Sequence, residues 1–241
     1  MQVMWLWILA TLLAFFVKGL CGFANALVFS AVIGFGAPNV NISPVEICLS
    51  FPSNVIMTWK TRRNLKARIY VPLVLLVLAG SIPGAFFLKN VDAQILKVFF
   101  GVVVVLIGVE MLLREYSSLQ LKESKILLVV IGIISGAMCG LFGIGALLAA
   151  YVSRVTRSGD EFKANINAVF VFENIFRIIL YAAIGVINLT SLKQTATLFP
   201  FMLIGLFAGM KSSSYLDDKL VKKIVISFLI LSGIILVVKN I

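Results

Sequence analysis

Histidine is missing altogether from this 241-residue chain, and aspartate and glutamate together number only 10. Without an imidazole there is no serine–histidine pair for acyl transfer and no Cys/His cluster of the kind that holds zinc. No catalytic residue, metal site or cofactor is therefore assigned, and an enzyme is not expected. Charge of either sign is scarce at 13% of residues, against about 25% in soluble domains. The three cysteines, Cys21, Cys48 and Cys139, all stand in apolar surroundings, which suits small interior packing rather than a disulfide framework. The longest polar stretch is about a dozen residues, too short for a separate soluble domain. The N-terminus has no basic segment and no small-residue cleavage site, so it reads as the first helix and not as a removed signal.

What the chain does have is apolar sequence: 61% hydrophobic residues and a mean hydropathy of +1.10. Continuous runs of about twenty such residues recur along its length, the length needed to cross a bilayer. Strict alternation is missing, which sets aside a β-barrel. The fold class is all-α and polytopic. A net charge of +11 would suggest nucleic acid in a soluble protein, but here most of it sits in the loops, as cytoplasmic lysine and arginine bias requires. The expected partners are the bilayer and a small anionic substrate. Oligomeric state, monomer or homodimer, stays open.

Ten helical elements are expected, at about 3–17, 23–35, 45–59, 69–88, 95–113, 126–139, 143–152, 162–187, 195–210 and 220–238. The first two are about fifteen residues or fewer, or roughly 20 Å at 1.5 Å per residue, shorter than the hydrocarbon core. They form either a re-entrant hairpin or two short spans with a kinked join. Elements six and seven are again short and joined by glycines. At one constant offset Gly80, Gly84, Asp92, Lys97 and Gly108 fall on Gly205, Gly209, Asp217, Lys222 and Gly233. With small insertions Asn54 falls on Asn174, and Cys21-Gly22 on Cys139-Gly140. The chain thus divides into a first repeat, 1–113, a linker, 114–125, and a second repeat, 126–241. Five elements per repeat make the second copy inverted. Segments 60–68, 114–125, 153–163 and 211–223 carry five, three, three and four of the lysines and arginines, and placing them in the cytoplasm leaves Lys89, Lys97, Lys193 and Lys239 outside. Both termini then lie outside.

Two cations, Lys18 and Arg177, remain at membrane depth. A lysine at a helix centre costs about 2.5–3.5 kcal/mol. Either Lys18 snorkels to an interface, or it stands at a broken-helix tip facing a wet cavity. Gly19 and Gly22 around it, and Gly140 and Gly143 in the second repeat, would let backbone N–H groups at two helix N-termini approach an anion; small-residue helix packing is the competing use of such glycines. Glu173 and Arg177 share one helix face, as a structural pair or as an anion-binding arginine with a carboxylate that orients it or carries a proton. Asn54 and Asn174 would flank the site, with Asn25 and Ser53 beside them. Glu46 is expected near the outer surface and Glu110 near the cytoplasmic end, neither at the centre. Two cations to one carboxylate at depth favours an anionic solute.

The glycine clusters, Gly19 and Gly22 with Gly136, Gly140, Gly143 and Gly145, and the endings Gly80-Ser81-Ile82-Pro83-Gly84 and Gly205-Leu206-Phe207-Ala208-Gly209, resemble those of the TauE/SafE sulfite exporter family, also called toluene sulfonate uptake permeases. The likeness spans nearly the whole chain. It departs at Asn25, where another glycine is usual, and in the lack of a proline after either tip. The resemblance implies an inner-membrane secondary transporter that moves sulfite, thiosulfate or an organosulfonate by alternating access. A carboxylate transporter and an uncoupled anion channel are the alternatives. Direction and coupling ion are open.

Overall fold

A computed structural model describes residues 2–33, 39–90, 145–156 and 158–215, with scattered positions between 94 and 139 and between 220 and 238. Seven helices have defined bounds: α1 Gln2–Cys21, α2 Asn25–Ile33, α3 Asn39–Lys60, α4 Ala67–Asn90, α5 Ala146–Val155, α6 Gly159–Ala183 and α7 Leu189–Ser213. A single 3₁₀ turn, Arg62–Asn64, joins α3 to α4. Among the described residues no strand occurs, and three helices (in α1, α6 and α7) are long and apolar enough to cross a membrane. About half of the positions in the elements expected at 95–113, 126–139 and 220–238 are described, and those positions are helical.

Several boundaries differ from the sequence expectation, each for a local reason. α1 is not short: its 20 residues run through Lys18 and Gly19, spanning about 30 Å. The break comes later, where Gly22 (φ 88°) and Ala24 (φ 71°) take the left-handed conformation. Of this first pair, α2 is the short one, at 9 residues. It returns antiparallel along α1, so that Phe29 meets Trp7 edge-on with ring centroids 5.7 Å apart. α3 begins at Asn39, earlier than expected, and carries both Pro44 and Pro52 inside it. α6 also starts early, because Ser158 caps it by accepting from the Glu161 N–H at 3.2 Å and the acids Asp160 and Glu161 suit its positive end. Asn188 and Ser191 form a capping box that starts α7 in polar sequence.

The glycines hold helices together. Gly205 and Gly209 of α7 lie against the backbone of Leu12, Phe16 and Gly19 in α1, and a Cβ on Gly19 would in turn meet Gly209 and Met210 of α7. This is close small-residue packing of two membrane helices. A second contact of the same kind joins Gly80 of α4 to Gly136, with the Ser81 hydroxyl donating to the Gly136 carbonyl at 3.0 Å. A third is reciprocal: a Cβ on Gly101 would meet the Gly233 carbonyl at 2.8 Å and the Val237 nitrogen at 3.0 Å, while one on Gly233 would meet the Gly101 carbonyl at 2.8 Å and the Val105 nitrogen at 3.0 Å.

Because backbone cannot yield as a side-chain tip does, Gly209→Ala is expected to destabilise the chain by about 2 kcal/mol. Gly185→Ala is the control. That glycine has a positive φ of 74° but open space around it, so its cost is backbone strain of about 1 kcal/mol. Thermal melting of the two variants in the same detergent checks the order.

The basic segments converge at one end. Lys66 pairs with Glu161 at 2.8 Å, the Lys66 N–H donates to Asn165 Oδ1 at 3.0 Å, and Lys163 Nζ donates to Ser213 Oγ at 2.6 Å. Segments 60–68, 153–163 and 211–213 therefore share a face, as the charge count requires; 114–125 lies outside the described residues.

Candidate functional site

At the centre of the helices is a ring of polar side chains in an apolar bundle. Lys18 is 1% exposed, so it does not snorkel. Its ammonium donates to Asn25 Oδ1 at 3.0 Å and to Asn54 Oδ1 at 2.5 Å. Asn54 Nδ2 donates at 2.8 Å to the Asn174 side-chain oxygen, and the Asn174 nitrogen donates to Glu173 Oε2 at 2.8 Å, with the amide oriented by these two partners. Arg177 stands between two carboxylates, with Nε 3.5 Å from Glu173 Oε1 and NH2 3.5 Å from Glu46 Oε2. Glu46 Oε1 accepts from Asn25 Nδ2 at 2.8 Å, which closes the ring, and also from the Ser50 hydroxyl, itself bonded by Asn25 at 2.5 Å.

Four elements contribute: Lys18 from α1, Asn25 from α2, Glu46, Ser50 and Asn54 from one face of α3, and Glu173, Asn174 and Arg177 from α6. Burying charge is tolerable only when it is paired and hydrogen-bonded, and two cations balance two carboxylates here. The tightest contacts involve the amides and Ser50. The loosest are the two at Arg177, where neither Nε nor Glu173 Oε1 makes a hydrogen bond. Arg177 NH1 donates to the Cys139 carbonyl at 2.7 Å, and its guanidinium lies 5.7 Å from the Tyr181 ring.

The ring surrounds a cavity of about 20 Å³, walled by Phe23, Leu27 and Phe170, with room for about one water molecule. The starts of two helices border it: residues Ala24 to Leu27 at the head of α2, and Gly145, which precedes α5 and offers it no side-chain cap. Helix N-termini carry free N–H groups and the positive end of the helix dipole.

A family model described as Sulfite exporter TauE/SafE matches residues 7–236, nearly the whole chain. The chain belongs to that family. No curated protein and no solved structure matches it. Membership places this TauE/SafE chain among membrane transporters, in agreement with its apolar helices.

Of the residues expected at a site from sequence, Lys18, Asn25, Asn54, Glu173, Asn174 and Arg177 come together in the ring of this TauE/SafE chain. Gly19 faces α7 instead of the cavity. Gly22 supplies the turn, and its carbonyl accepts from Asn167 Nδ2 at 3.0 Å. Ser53 is buried, but its hydroxyl donates back to the Ser50 carbonyl at 2.7 Å. Gly140, Gly143 and Glu110 lie outside the described residues. Glu46 is a correction. It is not near the outer surface but 4% exposed inside the ring, because α3 begins at Asn39 and carries it more than a turn deep. The balance at depth is consequently two cations to two carboxylates. Ser50 is a further residue of the site that the sequence reading passed over.

Proposed function

We propose that the chain is a secondary transporter of a small sulfur-containing anion, such as sulfite, thiosulfate or an organosulfonate, working by alternating access across an inner membrane. The observation that carries this reading is the pair of buried cations, Lys18 and Arg177, set between the N-terminal ends of two short helices. Net charge does not attract the anion, since the ring is neutral. The attraction comes from convergent donors: an ammonium, a five-donor guanidinium and backbone N–H groups. The cavity admits about one water; a sulfur oxyanion needs more room, so binding requires the elements that complete the ring to part.

The support for two inverted repeats is Asn54 bonding its repeat counterpart Asn174. Residues that meet their own equivalents lie on a two-fold axis, and binding sites of inverted-repeat transporters form beside such an axis.

A thermal-shift screen of the purified chain tests the substrate. Sulfite, thiosulfate and sulfoacetate are expected to raise its melting temperature, whereas acetate and lactate leave it unchanged. An equal response to the carboxylates would move the reading to a carboxylate transporter. Counterflow in liposomes separates a carrier from a channel, since only a carrier shows trans-stimulation.

The shared end of the basic segments is assigned to the cytoplasm, with both termini outside. A single cysteine at Arg63 is expected to resist an impermeant maleimide added to intact cells and to react once the membrane is opened. Labelling in intact cells would invert the orientation.

A further inference from the structure

We infer that Glu46 is a built-in stand-in for the transported anion, and that its displacement couples each anion to proton uptake. This rests on the ring being the anion site. Glu46 already does what a bound oxyanion would do there: one oxygen takes the Asn25 amide and the Ser50 hydroxyl, and the other takes the Arg177 guanidinium. An anion entering the cavity competes for those same donors.

The two carboxylates are not equivalent. Glu173 sits one turn before Arg177 on α6, so the pair moves as one body whatever the helices do. Glu46 reaches Asn25 and Arg177 from a different helix, α3, so those two contacts break when elements part, while the one to Ser50 stays within α3. The arginine contact, at 3.5 Å, is also among the longest in the ring.

Once displaced, Glu46 cannot stay charged without cost. Lys18 and Arg177 balance Glu46 and Glu173, and a monoanion leaves the buried site with one excess negative charge. One proton on the freed Glu46 restores neutrality; a dianion calls for a second, on Glu173. Among the described residues, the groups around Glu46 offer no other compensation. Lys18 faces it from α1, Arg177, Glu173 and Tyr181 from α6, and Cys139 and its own-helix neighbour Cys48 from the remaining sides. Both cations are already counted, and the rest are neutral or acidic. Asn25 of α2 is neutral, as is Thr195 of α7, which bonds Cys48. The transported unit is electroneutral, with anion and proton crossing together.

Isethionate and thiosulfate test this, because neither carries a titrating proton of its own near neutral pH. In weakly buffered detergent solution, binding to the full chain is expected to take up about one proton per isethionate and about two per thiosulfate, as charge neutrality demands. In proteoliposomes, an inward isethionate gradient is expected to acidify the lumen, and uptake is expected to ignore a potassium–valinomycin diffusion potential. Glu46→Gln is expected to take up isethionate, at whatever rate, without acidification and with a response to an inside-positive potential. Isethionate uptake by the unaltered chain without proton movement would overturn the coupling while leaving the transport reading intact. Acidification preserved in Glu46→Gln would remove Glu46 as the carrier. Absence of binding and uptake of either anion by the unaltered chain would overturn the transport reading and this inference together. The proton count on binding needs no variant, so poor folding of Glu46→Gln leaves the test in place.

Discussion

Arg177→Ala is expected to abolish anion binding and to lower the stability of the folded chain by about 3–5 kcal/mol, the range for breaking a buried ion pair from one side. Arg177 is the group that touches both carboxylates, with Nε toward Glu173 and NH2 toward Glu46, and its NH1 also occupies the Cys139 carbonyl. Removing it leaves two buried carboxylates with one cation, Lys18, which reaches Glu46 only through Asn25. Arg177→Lys is not a conservative rescue. One ammonium cannot reproduce a planar fork that serves three partners at once, so the lysine variant is expected to recover part of the stability and little of the binding. Melting in detergent measures the first effect and a thiosulfate titration the second. Wild-type affinity in Arg177→Ala would exclude the residue from the anion site.

The all-helical membrane class was legible because it follows from apolar run length, and three of the basic segments meet at one end as counting led one to expect. Helix ends were harder. Polar first turns such as Gly159-Asp160-Glu161 and Leu189-Thr190-Ser191 look like loop until their caps at Ser158 and Asn188 are recognised. The same difficulty hid Glu46. Its helix starts in Asn39-Val40-Asn41, ahead of Pro44, in sequence that reads as a turn. A signal was nevertheless present: Glu46, Ser50 and Asn54 recur every four residues, which sets a polar stripe on one face of an otherwise apolar helix. Glu173, Asn174, Arg177 and Tyr181 mark the facing stripe of α6 in the same way.

The glycines show the opposite limit. A run of small residues does not say whether it admits a ligand or another helix. In the structure Gly19, Gly80, Gly205 and Gly209 admit helices, Gly22 makes a turn, and Gly145 borders the cavity. What separates them is the partner element, and no spacing within one helix encodes that. The left-handed Ala24 at the α2 turn is likewise silent in sequence. It matters because the turn at Gly22 to Ala24 delivers Asn25 back to Lys18, seven residues earlier in the chain.

Lys18→Met is the second large effect. Methionine keeps the length and the apolar stem but removes the charge and both donated hydrogen bonds. A hydrogen bond to a charged group contributes about 1.5–3 kcal/mol, so losing the one that the ammonium gives the bound anion is expected to weaken anion binding by at least about tenfold, since 1.4 kcal/mol is a factor of ten. Stability also falls. The Asn25 and Asn54 side-chain oxygens lose their donor, and the ring keeps two carboxylates against Arg177 alone. Adding Glu46→Gln to Lys18→Met restores charge balance, with Arg177 against Glu173. The double variant is therefore expected to be more stable than the sum of the single losses implies, while binding stays weak because the donor remains missing. A double-mutant cycle of melting free energies reads that coupling. Strict additivity would mean that Lys18 and Glu46 do not share one charge-balanced ring, and an unchanged thiosulfate affinity in Lys18→Met would remove the lysine from the anion site.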